Sequence, residues 1–194
     1  MWRAPNDPQI YGALEVDAHN ALRFIADARA HGHHVTATHL VGRAVSRALQ
    51  AVPDLNVRIV GVQALARPSI DVFFIAARAA RGDLSGVKVS AVDKLSAVAL
   101  AEQLAQRAQR LKAGGDAEFS RSKRLTDRLP RLLLRGALEA TALLTQRFQL
   151  ELPPLGLRRS PFGSAMISSV GMFGLPHGFA PLAWMYDVPL LVLV

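Results

Sequence analysis

Two serines at the end of an apolar stretch are the residues of this sequence whose types and spacing best suit chemistry. Ser168 and Ser169 follow Ile167 and precede Gly171 and Gly174. A β-branched residue followed by hydroxyls and a Gly-x-x-Gly pair predicts a strand that runs into a tight turn. A hydroxyl at a strand end can face a ligand, and such a donor stabilises the oxyanion that forms during acyl transfer. The alternative interpretation is that both hydroxyls bond backbone groups of the turn.

Chemistry at such a hydroxyl usually also needs a base, and histidine is the side chain whose pKa lies closest to neutral pH. The sequence has six histidines, which are His19, His31, His33, His34, His39 and His177. We expect His33 and His34 to end a helix, where positive charge suits the helix dipole, and His39 to pack or cap at the start of the next helix. His177, in the glycine-rich loop after the serines, is the local candidate for a base. No metal site is expected from His33, His34 and His39, because spacings of one and five residues do not stack on one helix face.

The composition predicts one globular domain. The chain has 194 residues, of which 51% are hydrophobic and 20% are charged, so it is long enough to bury a core. It contains no cysteine, which excludes disulfides, thiolate zinc sites and cysteine nucleophiles. The lack of cysteine also favours a reducing compartment, and we expect the cytoplasm. The start of the chain holds no apolar signal-peptide core, and no window reaches the roughly 18 apolar residues of a membrane span.

The net charge of +8 is concentrated in one part of the sequence. Residues 107–159 hold twelve Lys and Arg against five Asp and Glu. These basic residues lie along predicted helices and lack the interleaved aromatic residues on which single-stranded nucleic acid stacks. We therefore expect no nucleic acid partner, and a phosphorylated cofactor is a partner that the arginines would suit.

Apolar periodicity predicts a chain in which strands and helices alternate. The predicted strands lie at residues 10–17, 70–76, 87–92 and 189–194, with a further strand ending at the serines. The predicted helices lie between an Asp17 or Asn20 cap and His31, between a Thr36 or Thr38 cap and Leu49, and from Ala97 to Lys112 behind a Ser96 cap. The nearly unbroken apolar run at residues 70–76 is typical of a strand that is covered on both faces.

Three stretches together resemble the catalytic core of the 2-oxoacid dehydrogenase (dihydrolipoamide) acyltransferases, relatives of chloramphenicol acetyltransferase. Residues 53–59 are similar to a Pro-x-Leu-Asn stretch, residues 70–76 to a Val-Asp-Ile-x-Ile-Ala strand, and residues 167–174 to a Thr-Ile-Ser-x-x-Gly-x-x-Gly stretch. The resemblance covers residues 10–112 and 163–194. It implies an α/β fold of two layers, in which helices cover a mixed β-sheet.

The resemblance also implies roles for single residues. Ser168 matches the serine that steadies the tetrahedral intermediate, and Ser169 takes its place if the alignment shifts by one residue. The substrate and cofactor contacts fall on Gly171, Met172, Phe173 and Gly174. Coenzyme A is the implied thiol on one side and a lipoyl group carried by a partner protein on the other, and no metal is implied. Asn56 and Arg58 also match the family pattern, and we expect Asn56 to satisfy turn backbone and Arg58 to face solvent.

One motif of the family is missing from the sequence. The family's base lies in a His-x-x-x-Asp-Gly stretch, and no Asp-Gly pair occurs in the 194 residues. Because residues 189–194 have the composition of a central strand, we expect residues 1–194 to be a single domain that is truncated at its C-terminus. The resemblance implies a homotrimer with the serine and the histidine on neighbouring subunits, and a larger cage in many relatives. The alternative is a non-catalytic scaffold or assembly subunit that keeps the fold.

An extra segment separates the two parts of the resemblance. Residues 114–162 read as a helical insertion in which Arg131, Arg135 and Glu139 share one narrow face and leucines cover most of the rest. Such a helix can rest on a membrane surface or dock a partner helix. It can also pack on its own domain or across a trimer contact.

Overall fold

The structure is a computed structural model whose described part has three α-helices, six strands and two short 3-10 helices, Pro53–Leu55 and Val92–Lys94. It describes residues 9–60, 63–77, 84–112, 160, 162–171, 174, 178–180 and 188–194. The predicted insertion at residues 114–162 lies almost wholly outside the described residues, as do Met172, Phe173 and His177. The described helices are α1 (His19–Ala30), α2 (Ala37–Ala51) and α3 (Ala97–Lys112). The described strands are β1 (Val57–Val60), β2 (Gln63–Ala66), β3 (Val72–Ala77), β4 (Leu84–Val89), β5 (Ala165–Ser168) and β6 (Leu191–Leu193).

Side chains near the start of each helix accept or donate hydrogen bonds there. Before α1, the backbone N–H of His19 donates to Asp17 Oδ1 at 2.9 Å. At the start of α3, the N–H of Ala99 donates to Ser96 Oγ at 3.1 Å. Thr36 is the N-cap of α2, and its backbone N–H donates to His39 Nδ1 at 3.0 Å. These side chains satisfy N–H groups that the first turn of a helix leaves without a partner. The predicted starts of α2 and α3 are confirmed, whereas the N-cap of α1 is Ala18 rather than Asp17 or Asn20.

The larger sheet is mixed and has four described strands in the order β4-β3-β5-β6. β3 pairs antiparallel with β4, and β5 runs parallel to both β3 and β6. The strands β1 and β2 form a separate antiparallel hairpin. A mixed sheet is the arrangement that the sequence predicts.

Helices α2 and α3 cover one face of the sheet. A buried cluster, the main cluster, lies between the sheet and the helices and includes Leu100 of α3. Its members, each 7% exposed or less, are Val72, Phe74, Val87, Val89, Val92, Leu100 and Ile167. Gly42 of α2 lies so close to the Phe74 ring that a Cβ there would be 2.7 Å from Phe74 Cζ. Helix α1 packs on α3 through a second cluster, which contains Ile25, Ala28, Val35 and Ala101. The predicted two-layer α/β architecture is thus confirmed.

The strand predicted at residues 10–17 is wrong. Residues 9–18 form neither helix nor strand, and Ile10, Leu14 and Val16 are 97%, 87% and 73% exposed. Alternating apolar residues form a stable strand only when a neighbouring strand takes up the backbone hydrogen bonds and a core covers one face. No strand in the described part of the chain pairs with this segment, which leaves its apolar side chains in water.

Two smaller expectations are also corrected. Arg58 was expected to face solvent, yet it is only 6% exposed, because β1 turns this side chain inward while Ile59 stays 60% exposed. Strand β6 was expected to be central, yet among the described strands it lies at the edge of the sheet. Its apolar composition is explained by packing, since Val192 and Val194 lie against the main cluster.

The expectation for Asn56 is confirmed. Its side chain bonds to the backbone, because Asn56 Nδ2 donates to the Ser69 carbonyl at 3.4 Å.

Candidate active site

Ser168 is the last residue of β5. In the ladder it lies beside Ile75 of β3 and beside Leu193 of β6. Because β3, β5 and β6 are parallel, the ends of these three strands meet at the same edge of the sheet. The serine therefore lies at a strand end and is followed at once by a turn, as the sequence predicts.

Alternation along β5 decides which way the Ser168 side chain points. Ile167 is fully buried in the cluster between the sheet and the helices. Successive side chains of a strand point to opposite faces, so Ser168 lies on the face away from the helices. The side chain is partly exposed rather than sealed in the core. Its ladder neighbours Ile75 and Leu193 are apolar, and they give the hydroxyl surroundings of low polarity.

The backbone around Ser168 is held by Val194. The N–H of Val194 donates to the Ser168 carbonyl at 3.0 Å, and the Val194 carbonyl accepts from the N–H groups of Val170 at 3.0 Å and Gly171 at 3.3 Å. These bonds fix the backbone of the strand end. Among the residues that the structure describes, the Ser168 hydroxyl has no hydrogen-bond partner, while Met172 and Phe173 of the turn lie outside them.

The predicted Gly-x-x-Gly turn follows the serines. The N–H of Gly174 donates to the Gly171 carbonyl at 3.0 Å, which closes a four-residue turn, and Gly174 has a φ of +70°. A positive φ is a conformation that glycine adopts without strain. Both glycines are exposed. Met172 and Phe173, which were predicted to contact substrate together with these glycines, lie outside the described residues.

The described histidines take structural positions. His39 lies in the first turn of α2 and accepts a hydrogen bond from the Thr36 backbone, and burial lowers the pKa of its ring below the usual 6.5. His33 lies in the loop after α1, and its Nδ1 is 3.3 Å from Glu102 Oε1 of α3. His39 therefore caps a helix, as predicted. His177, the local candidate for a base, lies outside the described residues, and no group of three or more potential metal ligands occurs among those that are described.

The opposite end of the same strands carries a polar junction that the sequence reasoning missed. Asp71 precedes β3, and its backbone carbonyl accepts a hydrogen bond of 2.7 Å from the N–H of Ser164, which precedes β5. Asp71 Oδ1 accepts from Ser69 Oγ at 2.7 Å and from the Ala91 N–H at 3.2 Å. Asp71 Oδ2 lies 3.4 Å from Lys88 Nζ. The available signal was the single charged residue at the head of an otherwise apolar strand.

The mixed sheet with helices on one face, together with its likeness to solved acyltransferase cores, places the chain in the chloramphenicol-acetyltransferase-like class of α/β folds. The family model described as "2-oxoacid dehydrogenases acyltransferase (catalytic domain)" matches residues 1–118. The chain belongs to this family. Ser168 lies beyond the matched residues.

Solved structures of acyltransferase cores share the fold. The chain is similar to a probable dihydrolipoamide acetyltransferase from Listeria monocytogenes 4b F2365, with 16% identity, a TM-score of 0.59, and coverage of 93% of this chain and 61% of that chain. It is similar to the cubic core of the pyruvate dehydrogenase multienzyme complex, with 17% identity, a TM-score of 0.56, and coverage of 87% and 54%. It is also similar to a truncated catalytic core of the 2-oxoacid dehydrogenase multienzyme complex from Thermoplasma acidophilum, with 15% identity, a TM-score of 0.52, and coverage of 84% and 58%.

The chain thus spans between 54% and 61% of the length of these three structures. No curated protein matches the sequence. None of the helices in the described part of the chain has both the length and the apolar character needed to span a bilayer.

Proposed function

We propose that this chain moves an acyl group between coenzyme A and a dihydrolipoyl-type thiol, with Ser168 as the donor to the oxyanion. The observation that carries the proposal is the position of Ser168, which is partly exposed at the end of β5 in a member of the acyltransferase family. Its backbone is fixed by Val194, and no described residue bonds to its hydroxyl. A fixed backbone with an available donor is the arrangement that oxyanion stabilisation needs.

The proposed step is a thiol exchange at a thioester. The attacking thiol loses its proton to a base, and its sulfur forms a bond to the thioester carbonyl carbon. The carbonyl oxygen becomes an oxyanion, which accepts a hydrogen bond from Ser168 Oγ. When the intermediate collapses, the original carbon–sulfur bond breaks, and the leaving thiolate takes the proton back from the base. The apolar neighbours Ile75 and Leu193 strengthen the hydrogen bond, because electrostatic interactions are stronger where the dielectric constant is low.

The remaining parts of the proposal concern what surrounds the serine. The base is supplied from outside the described residues, by a neighbouring subunit of a homotrimer, which can be part of a larger cage. The lipoyl group is carried by a partner protein, and no metal takes part. We also propose that residues 1–194 are one domain with a helical insertion at residues 114–162, and that the protein works in the cytoplasm. The likeness to cores of multienzyme complexes supports an oligomeric assembly.

The test is acetyl transfer from acetyl coenzyme A to dihydrolipoamide, assayed on the full-length natural protein. Ser168→Ala should lower kcat by about 10² to 10³, because one donor to the oxyanion is lost. Ser169→Ala is the matched control, since it removes a hydroxyl one residue further along, and it should leave kcat within about threefold of the unsubstituted protein. Unchanged turnover in Ser168→Ala would remove this serine from the mechanism.

The alternative function is a non-catalytic scaffold or assembly subunit. It needs no base, and residues 1–194 contain no Asp-Gly pair and hence no copy of the family's base motif. A scaffold would show no acetyl transfer in the same assay, with or without Ser168, while it would still sediment as an oligomer.

Whether the basic insertion at residues 114–162 contacts a membrane or protein can be tested separately. A membrane contact by residues 114–162 predicts co-sedimentation with anionic vesicles at low salt and release at moderate salt. Packing within the domain or across a trimer contact, which we favour, predicts that the protein stays in the supernatant at both salt concentrations.

A further inference from the structure

We infer that Asp71 is a positioning residue that sets the register of β5 against β3 and so determines where Ser168 lies. Only the expected effect of Asp71 on acetyl transfer rests on the proposed function. It begins with the ladder, in which Val72 lies beside Ala165 and Ile75 lies beside Ser168. Asp71 and Ser164 are the residues immediately before this ladder. Ser164 and Ser168 are four residues apart, which is about 13 Å along a strand.

The first link between the two strands is direct. Ser164 donates its N–H to the Asp71 carbonyl at 2.7 Å, and Asp71 donates its N–H to Ser164 Oγ at 3.3 Å. Ser164 Oγ also lies 3.4 Å from the Ser69 carbonyl, to which it donates. Ser164 is fully buried. Gly163, next to it, passes so close that a Cβ there would be 2.5 Å from the Asp71 carbonyl oxygen. The junction between Asp71 and Ser164 therefore fits one alignment of β5 against β3.

The second link passes through the Asp71 carboxylate. Lys88 Nζ lies 3.4 Å from Asp71 Oδ2 and donates to the Ser160 carbonyl at 2.9 Å, so it joins Asp71 to the chain that leads into β5. The same carboxylate accepts from the N–H of Ala91, which has a φ of +51°. A left-handed conformation at a residue with a Cβ is unfavourable and persists only where the surroundings hold it. Asp71 thus holds the C-terminal end of β4 together with the N-terminal ends of β3 and β5.

The register matters for the candidate site because side chains alternate along a strand. A shift of β5 by one residue would turn Ser168 toward the helices and Ile167, which is now fully buried, toward the opposite face. The apolar pattern of β5 resists that shift only weakly, since Ala165, Met166 and Ile167 are all apolar and all buried. Specific contacts at Asp71 are therefore needed to choose the register.

The experiment uses thiol labelling, because residues 1–194 contain no cysteine, and the unsubstituted full-length protein gives the background rate. Single substitutions Ile167→Cys and Val35→Cys each place one thiol at a fully buried position, the first in β5 and the second in the separate cluster beneath α1. Each is combined with Asp71→Ala and with Asp71→Asn in the full-length protein, and the rate of reaction with Ellman's reagent is measured. Asp71→Asn keeps an oxygen that can accept from Ser69 and Ala91.

We expect Asp71→Ala to raise the labelling rate of the Ile167→Cys thiol at least tenfold and to leave that of the Val35→Cys thiol within twofold. Asp71→Asn should bring the first rate back to within threefold of the parent. If both thiols react faster together, the whole fold has opened, and the inference is overturned. It is equally overturned if neither rate changes. Should Asp71→Ala fail to fold, Lys88→Met replaces it, because this variant removes the ion pair that joins the Asp71 carboxylate to the chain leading into β5, and it should raise the labelling rate of the Ile167→Cys thiol selectively.

Turnover then separates this inference from the proposed function. Where the natural protein shows Ser168-dependent acetyl transfer, Asp71→Ala should lower kcat at least tenfold, and Asp71→Asn should restore it to within threefold. Where the natural protein shows no acetyl transfer, the proposed function fails, but the labelling rates still decide whether Asp71 sets the register.

Discussion

Gly163 is a residue at which the neighbouring backbone leaves almost no room for a side chain. A Cβ there would lie 2.5 Å from the Asp71 carbonyl oxygen and 2.7 Å from Asp71 Cβ, and the residue has a φ of +77°. Gly163→Ala therefore adds left-handed strain of about 1 to 2 kcal/mol and overpacking of about 1 to 3 kcal/mol. We expect the free energy of unfolding to fall by about 2 to 5 kcal/mol, measured by urea denaturation.

The matched control for this substitution is Gly32→Ala. Gly32 has a similar φ of +83°, but a Cβ there would meet no atom within 4 Å. We expect this control to lower the free energy of unfolding by about 1 to 2 kcal/mol, from the conformation alone. Equal losses in the two variants would show that the close approach to Asp71 contributes nothing to stability.

The first turn of α2 should make stability depend on pH. His39 Nδ1 accepts a hydrogen bond from the Thr36 N–H, which it can do only when that nitrogen carries no proton. Burial lowers the pKa of His39 in the folded chain, so the unfolded chain takes up the proton first as the pH falls. The contribution of His39 is therefore complete above its usual pKa of 6.5 and is lost as the pH falls through the lowered pKa. Urea denaturation at pH 7.5 and 5.0 should show a loss of about 1 kcal/mol, the usual effect of a lost cap.

Two variants assign this pH dependence to His39. In His39→Gln, the amide oxygen can accept the same Thr36 N–H and complete a Thr-x-x-Gln capping box, but it does not titrate in this range. Its stability should change less between pH 7.5 and 5.0 than that of the natural chain. His34→Gln, an exposed control in the preceding loop, should keep the natural pH dependence. A pH dependence that persists unchanged in His39→Gln would assign it to other groups.

The elements that the sequence predicted well are those whose determinants are local. Helix α2 could be placed from Thr36 at its start and from Pro53 just beyond its end, because a cap and a helix-breaking residue act within one turn of the backbone that they affect. The start of α3 could be placed in the same way from its capping residue Ser96. The strand end at Ser168 was also local, since the β-branched Ile167 and the glycine turn flank it. Local signals thus place both the helices and the candidate serine.

Across the whole molecule, the features that escaped prediction depend on contacts between distant parts of the chain. The contact of Asp71 with Ser164 spans 93 residues, and nothing near either residue announces it. Arg58 is buried although its neighbours in sequence resemble a strand with one exposed face. Residues 10–17 have the pattern of a strand, but a strand exists only where a partner pairs with it. Sequence patterns give the tendency of a segment, and the tertiary structure decides whether it is realised.

Helix α3 couples the two buried clusters into one cooperative unit. Leu100 is fully buried against the sheet, and Ala101, the next residue, packs against α1. Leu100→Ala should therefore lower the free energy of unfolding by about 2 to 5 kcal/mol, through lost burial and the cavity that remains. Because α3 serves both clusters, amide hydrogen exchange should become faster by similar factors in α1 and in β3.

Leu22 provides the matched control for this last substitution, since the same change is made at a side chain that is 61% exposed on α1. Leu22→Ala should change stability by no more than about 0.5 kcal/mol, as is usual at surface positions. If Leu100→Ala speeds exchange in β3 and leaves exchange in α1 unchanged, then α1 opens independently of the sheet. In that case the fold would consist of two units that share α3 without unfolding together, and the coupling argued from Leu100 and Ala101 would be wrong.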